Sequence, residues 1–218
     1  YASAYKPNSA FYEARGDKGM AELKMTMDYL IKNHPDIFTI LDAKRADIGN
    51  TNNGYVTSIF DWLGFDAVTI NPYLGQEAVQ PFLDRKEKVS IILCRTSNSG
   101  AGEFQDLKVV NLPGRPLWQI VAERVSEHWN KNNNCMLVVG ATYPEEMKKI
   151  RSLVGDMTFL VPGVGVQGGN IEAIVKAGLN DKGQGLIINS SRGIIFSSDP
   201  CSEARKLCEE IRKYTNIS

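Results

Sequence analysis

Hydrophobic residues along the chain fall into two alternating kinds of segment. Short, nearly continuous apolar runs lie at 38–41, 67–70, 89–94, 135–139, 157–161 and 186–188, and a further candidate lies at 1–5. Runs of this length are typical of strands buried on both faces of a parallel sheet. The pattern therefore predicts six strands and a candidate seventh.

Longer amphipathic segments separate these runs. Met20, Leu23, Met27, Leu30 and Ile31 recur at steps of mostly three and four residues, which predicts a helix with one buried face. Further helices are predicted around 49–63, 75–85, 116–130, 144–153, 170–178 and 204–211. Strands that alternate with helices indicate βαβ units and a parallel sheet, so the expected class is α/β.

The length and spacing of these elements predict a single barrel domain. An eightfold (β/α)₈ TIM barrel takes about 250 residues at roughly 30 per unit, whereas this chain has 218 residues and seven candidate strands. The longest irregular stretch is 97–116, and such a long loop is usually functional. We therefore expect one barrel domain over residues 1–218, N-terminally incomplete and lacking its first strand.

Composition and charge exclude several classes of function. Lys and Arg number 25, as do Asp and Glu, so the formal net charge is zero and nothing suggests a nucleic-acid footprint. The apolar runs fall far short of the roughly 18 residues that a membrane helix needs. Four cysteines without CxxC or zinc spacing indicate a reducing, cytoplasmic compartment.

The strongest chemical signal follows the predicted strand at 38–41. Asp42 and Lys44 are two residues apart, so a regular strand would point both side chains to the same face at its carboxyl end. Barrel enzymes place their active sites at that end. Asp47 follows three residues later, and ionisable groups here would be costly unless paired. The segment predicts a charge array, with a surface ion-pair network as the alternative.

Two loops near the C-terminus predict a phosphate site. The loop at 162–169 contains a GxGxxG pattern, but no carboxylate ends the next strand as a dinucleotide site requires. Its glycines would let the backbone approach an anion closely, although a plain tight turn is the alternative. The loop at 189–193 adds Arg192, whose planar fork suits phosphate. Loops after the last two strands are the usual phosphate site of such barrels.

Two further candidates depend on their position after a strand. Lys6 follows the run at 1–5 and could end a strand next to the one that carries Asp42. Thr96 follows the run at 89–94 and could donate to a substrate, with an ordinary turn hydroxyl as the equal alternative.

These segments together resemble the orotidine 5′-monophosphate decarboxylase family. DAKRADIGNT at 42–51 resembles the family signature D-x-K-x-x-D-I-x-x-T, and KPN at 6–8, AFYE at 10–13 and the two C-terminal loops resemble the bacterial-type subgroup. The resemblance covers nearly the whole chain. It implies a (β/α)₈ barrel that acts as a homodimer without metal or cofactor. The implied reaction releases CO₂ from orotidine 5′-monophosphate to give UMP, the last step of pyrimidine synthesis.

The resemblance also implies roles for individual residues. Lys6, Asp42, Lys44 and Asp47 would form the catalytic charge network, in which Lys44 protonates the C6 carbanion and Asp42 faces the substrate carboxylate. Ile48 and Thr51 are implied substrate-binding residues that, with Asp47, would reach the partner subunit's site. The other implied substrate-binding residues are Asn8 at the ribose, Thr96 at the pyrimidine, Gln167 and Arg192 at the phosphate, and Pro162 and Gly193 in the same loops.

The family pattern also bears on what lies outside this sequence. Family members carry an Asp at the end of a first strand, and this sequence begins too late to show it. Several lineages join the decarboxylase to orotate phosphoribosyltransferase, so a fused or associated domain of that kind is a candidate partner.

Two other functions stay open at this point. Related barrels that act on sugar phosphates, such as 3-keto-gulonate-phosphate decarboxylases, resemble the same D-x-K-x-x-D core but require Mg²⁺. The continuation through Ile48 and Thr51 favours the orotidylate interpretation. A non-catalytic phosphate-binding barrel would keep Gln167 and Arg192 without needing the charge array.

Overall fold

Strands and helices alternate along the chain as the hydrophobic pattern predicts. The computed structural model describes residues 1–112, 114–164 and 170–215. The strands in these ranges are β1 Ala4–Tyr5, β2 Phe38–Arg45, β3 Ala67–Ile70, β4 Val89–Arg95, β5 Lys108–Val109, β6 Arg115–Pro116, β7 Cys135–Val139, β8 Phe159–Val161 and β9 Leu186–Ile188. All seven strands expected from the sequence are present, and the α/β class is confirmed.

All seven predicted helices are present, and three short helices that were not predicted accompany them. The helices are α1 Ser9–Glu13, α2 Gly16–Asn33, α3 Gly49–Val56, α4 Gly75–Leu83, α5 Gly102–Gln105, α6 Leu117–Arg124, α7 Pro144–Val154, α8 Ile171–Gly178, α9 Arg192–Ile195 and α10 Pro200–Arg212, of which α1, α5 and α9 were not predicted. α3 and α6 continue as π-helical turns, Thr57–Trp62 and Val125–Trp129. Within the described ranges, no helix is both long enough and apolar enough to cross a membrane.

The stretch at 97–116 is more ordered than the sequence indicates. It contains α5 and the antiparallel pair β5–β6, in which Lys108 lies opposite Pro116. The prediction of an irregular loop was therefore wrong in this respect. Strands of two residues are too short to show a period-two pattern, so the hydrophobic positions could not reveal them.

Residues Ala2–Ile92 and Asn130–Cys135 form one compact unit. Its strands β1, β2, β3 and β4 pair in parallel in chain order. α2 buries Leu23, Met27 and Leu30 as predicted, whereas Ile31 is 51% exposed, contrary to expectation. Gly19 lies where α2 meets α1, and a Cβ there would come within 1.9 Å of the Tyr12 carbonyl oxygen. The absence of a side chain therefore allows the close contact of these two helices.

The other compact unit comprises Tyr1, Leu93–Trp129 and Met136–Ser218. In it β7, β8 and β9 pair in parallel, again in chain order. Leu137, Phe159 and Val161 are fully buried on these strands, and Ile150 of α7 and Ile174 of α8 are buried as well. The apolar sides of α7 and α8 therefore contribute to the core that encloses these strands.

Arg151 of α7 joins two loops of this second unit. Its guanidinium donates to the carbonyl oxygens of Gly155, Met157, Gly178 and Gly185 at 2.5–3.1 Å. It also stacks over the Phe159 ring at 3.9 Å. Burial lowers the pKa of Arg151 to about 10, which still leaves it charged at neutral pH. One side chain thus fixes the turns that precede β8 and β9.

We expect Arg151→Met to destabilise the fold by about 3 kcal/mol, since several carbonyl groups lose their donor at once. Urea unfolding followed by circular dichroism measures this change. Arg212→Met on the exposed end of α10 is the matched control and should change stability by no more than about 0.5 kcal/mol. Equal effects of the two substitutions would contradict this role for Arg151.

Candidate active site

Three of the candidate charged residues meet at the carboxyl ends of β1 and β2. Asp42 Oδ2 accepts from Lys6 Nζ at 2.8 Å, and Asp42 Oδ1 accepts from Lys44 Nζ at 2.6 Å. Asn8 Nδ2 lies 3.5 Å from Asp42 Oδ2. We call Lys6, Asp42 and Lys44 the Lys-Asp-Lys array. Two ammonium groups therefore share one carboxylate, as the sequence predicts for these three residues.

The members of the array differ in exposure. The side chains of Lys6 and Asp42 are 11% and 14% exposed, whereas that of Lys44 is 49% exposed. Burial favours the neutral acid, but Lys6 and Lys44 outweigh it and hold the pKa of Asp42 below its ordinary value. The carboxylate is therefore ionised at neutral pH, and Lys44 is the ammonium group that solvent or a ligand can reach.

A bulge in β2 brings Lys44 next to Asp42. Leu41 pairs with Val68 and Arg45 pairs with Ile70, so the three residues 42–44 lie opposite Thr69 alone. Within the bulge Lys44 has φ 48°, the left-handed region that non-glycine residues rarely adopt. The predicted contact of Asp42 with Lys44 is present, but the prediction that regular alternation along the strand causes it was wrong. The contact arises from the bulge, through which the alternation does not continue.

Thr69 supports the bulge with one hydroxyl group. Its Oγ1 accepts from the backbone N–H groups of Ala43 and Lys44, at 3.0 and 2.9 Å, and donates to Asp42 Oδ1 at 3.0 Å. Thr69 is 1% exposed. The sequence analysis missed this residue. The available signal was a hydroxyl inside the otherwise apolar run AVTI at 67–70.

The segment that carries Lys6 and Asn8 is fixed against β2. The Asp42 N–H donates to the Pro7 carbonyl at 2.9 Å, which continues the pairing of β1 with β2. Asn8 caps α1 by accepting from the Ala10 N–H at 3.0 Å. At the other end of α1, Glu13 forms an ion pair with Arg45. These contacts hold the Lys6 ammonium in position beside the carboxylate.

Asp47 lies outside the array within this chain, and the expectation that it reaches the partner subunit's site stays a prediction. Its Oδ1 accepts from the Ile48 N–H at 2.7 Å, and no ion pair of Asp47 is present among the described residues. Ile48 is 61% exposed and Thr51 is exposed as well. Ile48 and Thr51 therefore lie at the surface of this chain, whereas Asp47 is half-buried.

Asn52 fixes the backbone of Asp47 and was also missed by the sequence analysis. Its Oδ1 accepts from the Asp47 N–H at 2.9 Å, and its Nδ2 donates to the carbonyl groups of Asp47 and Ala78. The side chain is fully buried. Three backbone groups thus depend on one amide. An Asn in a polar run, NTNNG at 50–54, carries no sequence signal for this contact.

In the second unit, Thr96 belongs to a loop network. Its hydroxyl donates to Asn98 Oδ1 at 2.6 Å and accepts from Gln105 Nε2 at 2.8 Å, and its N–H donates to Gln105 Oε1 at 2.9 Å. Arg95 Nη1 also reaches Gln105, at 3.4 Å. In this conformation the hydroxyl proton is engaged within the loop, as the turn alternative predicts.

The candidate phosphate residues follow β8 and β9. The Pro162 carbonyl accepts from the Ala141 N–H at 2.9 Å, and Arg192 is the exposed first residue of α9. Gly193 and Ser190 help to line a cavity of about 660 Å³ that extends to α8 and α10. Gln167 lies outside the described residues.

The described residues also limit where a metal ion could bind. Across residues 1–112, 114–164 and 170–215, no three His, Cys, Asp or Glu side chains are grouped so as to hold a metal. The four cysteines are all free. Metal independence itself stays a prediction.

Comparisons with known proteins point to one family. The profile of the orotidine 5′-phosphate decarboxylase / HUMPS family matches residues 1–207. A curated orotidine 5′-phosphate decarboxylase from Cellvibrio japonicus is 49% identical over 218 residues, which cover 99% of this chain and 78% of that protein. One from Flavobacterium johnsoniae is 48% identical over 209 residues, covering 96% of this chain and 75% of the relative.

Solved structures agree with the sequence comparisons. The Leishmania donovani OMP decarboxylase superposes with a TM-score of 0.90 at 41% identity, covering 97% of this chain and 80% of that one. The Leishmania donovani UMP synthase gives a TM-score of 0.92 at 43% identity, covering 97% of this chain and 46% of that one. This similarity confirms the (β/α)₈ barrel class expected from the sequence.

We expect Asn52→Ala to lower the free energy of unfolding by about 2–4 kcal/mol, because three backbone groups lose their partner in a buried place. Urea denaturation measures the loss. The neighbouring exposed Asn53 gives the matched control, since Asn53→Ala removes the same atoms from the surface. If both substitutions had the same small effect, the bonds of Asn52 to Asp47 and Ala78 would not matter for stability.

Proposed function

The chain belongs to the orotidine 5′-phosphate decarboxylase / HUMPS family, and we propose that it converts orotidine 5′-monophosphate to UMP and CO₂ through its Lys-Asp-Lys array. The observation that carries this proposal is the ionised Asp42 carboxylate bound to two ammonium groups at 2.8 and 2.6 Å. The curated relatives described above, both named orotidine 5′-phosphate decarboxylase, favour this substrate over the sugar-phosphate alternative.

Lys44 is proposed as the proton donor. Loss of CO₂ leaves an electron pair at C6 of the pyrimidine, and the array contains no electron sink to delocalise it. An ammonium group already aimed at the developing negative charge stabilises it, and then its proton forms the new C6–H bond. The 49% exposure of Lys44, against 11% for Lys6, supports Lys44 as the donor.

Asp42 is proposed to act in two ways. It orients the Lys44 ammonium through a contact of 2.6 Å, and it faces the carboxylate that the substrate loses. Two facing carboxylates repel each other, and this repulsion ends when CO₂ leaves. The orienting contact carries the argument, because the structure shows it directly.

The remaining binding residues are proposed from the family resemblance. Arg192 and Gln167 would hold the phosphate, with Pro162 and Gly193 in the same loops, and Asn8 would contact the ribose. Thr96 would contact the pyrimidine by giving up its bond to Asn98. Phosphate binding far from the reacting carbon supplies energy that can be used to position the base.

A second copy of the chain is the proposed partner at the surface of Asp47, Ile48 and Thr51. The 61% exposure of the Ile48 side chain supports this, because a partner would remove an apolar group from water.

The family profile over residues 1–207 supports a single catalytic domain. Similarity to a UMP synthase supports a fused or associated orotate phosphoribosyltransferase. Four free cysteines support a cytoplasmic location.

Lys44→Ala should fold normally and lower kcat by roughly 10²–10⁴-fold, since the proton donor is lost. The decrease in absorbance as orotidine 5′-monophosphate is consumed measures the rate, and circular dichroism checks the fold. Lys24→Ala is the matched control, since Lys24 of α2 is a partly exposed lysine paired with an aspartate outside the array, and it should keep the full rate. Near-normal turnover by Lys44→Ala would rule out the proposed role.

Dialysis against EDTA should leave the decarboxylation rate unchanged, and added Mg²⁺ should not increase it. The reason is that the array supplies positive charge through ammonium groups. The measurement is the initial rate before and after chelation. Loss of activity that Mg²⁺ restores would instead favour the sugar-phosphate class of the same family.

A further inference from the structure

We propose that Thr69 is a positioning residue for the decarboxylation, because its hydroxyl fixes both the Asp42 carboxylate and the backbone from which Lys44 projects. The inference rests on the proposed function of the array. Thr69 belongs to the neighbouring strand β3 and lies outside the charged segment that the family signature covers.

The hydrogen-bond count of the hydroxyl determines where its proton points. A hydroxyl has one proton and two lone pairs. The N–H groups of Ala43 and Lys44 take both lone pairs, at 3.0 and 2.9 Å. The proton is therefore left for Asp42 Oδ1, at 3.0 Å. Every bond that the hydroxyl can make is thus used within the array and its bulge.

The acceptor role stabilises an unusual backbone. Ala43 and Lys44 are consecutive, and both N–H groups point to the same oxygen of β3. A regular ladder cannot provide this, because successive N–H groups of a strand point to opposite sides. A non-glycine residue in the left-handed region persists only when its surroundings hold it there. Thr69 provides that support for Lys44 at φ 48°.

The donor role concerns the same carboxylate oxygen that Lys44 contacts. Oδ1 accepts from Lys44 Nζ at 2.6 Å and from Thr69, whereas Oδ2 accepts from Lys6 at 2.8 Å. When Lys44 gives its proton to the C6 carbanion, Oδ1 loses its charged donor. Thr69 still donates to Oδ1 at that moment, so the carboxylate keeps its orientation until Lys44 is protonated again.

The same strand pair offers a matched comparison. Thr39 of β2 is 4% exposed, donates to Asp66 Oδ2 at 2.7 Å and accepts from the Asp66 N–H at 3.1 Å. It therefore resembles Thr69 in burial and in its bonds to an aspartate and to backbone. It lies at the beginning of β2, whereas the array lies at the opposite end of the strand. A purely structural role predicts similar consequences for Thr69→Val and Thr39→Val.

The test compares kcat and KM for Thr69→Val, Thr69→Ser and Thr39→Val with orotidine 5′-monophosphate. We expect Thr69→Val to lower kcat roughly 10- to 100-fold, since small misplacements of reacting groups cost this much, with KM within about threefold. Thr69→Ser keeps the hydroxyl and should recover most of kcat. Thr39→Val should lose stability but keep kcat.

Three results would overturn the inference. They are a wild-type kcat in Thr69→Val, the same decrease of kcat in Thr69→Ser as in Thr69→Val, or the same decrease of kcat in Thr39→Val as in Thr69→Val. If Thr69→Val does not fold, the kcat of Thr69→Ala is compared with that of Thr69→Ser instead. The Lys44→Ala result separates the two proposals. An inactive Lys44→Ala beside a fully active Thr69→Val would reject only the role of Thr69, whereas wild-type protein without decarboxylase activity would reject both.

Discussion

The site depends on one carboxylate held ionised in a mostly buried place. Asp42 is 14% exposed, and removing a charge from water is costly unless opposite charges replace the water. Two ammonium groups do so, and each such contact is worth roughly 4 kcal/mol at ~4 Å and an effective dielectric near 20, before desolvation is subtracted. Both lysines contact the same carboxylate, so the three side chains stabilise one another as a unit.

This electrostatic unit requires a backbone that a regular strand cannot provide. Lys44 adopts φ 48° in a bulge that inserts two extra residues into β2. Strain of this kind costs about 1–3 kcal/mol and is found where function requires it. Three contacts hold this segment: Thr69 binds the backbone of Lys44, Asn52 binds the backbone of Asp47, and the Asp42 N–H donates to the Pro7 carbonyl. The family relationship explains which reaction is catalysed, and these contacts explain how the groups are held for it.

Much of the fold could be predicted from the sequence, and less of the site. Parallel strands buried on both faces leave nearly continuous apolar runs, so β3 and β7 have the predicted bounds. The meeting of Lys6, Asp42 and Lys44 was expected from their places after strands. The bulge was not, because a pattern of side chains assumes regular alternation. The hydroxyl in the run AVTI was a signal for Thr69, but its role and that of Asn52 could not be predicted, since their partners lie 25–27 and up to 26 residues away.

The ionisation of Asp42 can be measured directly by ¹³C NMR on protein labelled at the aspartate carboxyl carbon, with Asp42→Asn to assign its signal. The account predicts that the Asp42 resonance titrates with a midpoint below the ordinary value of roughly 3.9, because the two lysines lower the pKa of this carboxyl group. A titration midpoint above about 4 would contradict it, since burial would then outweigh the two lysines.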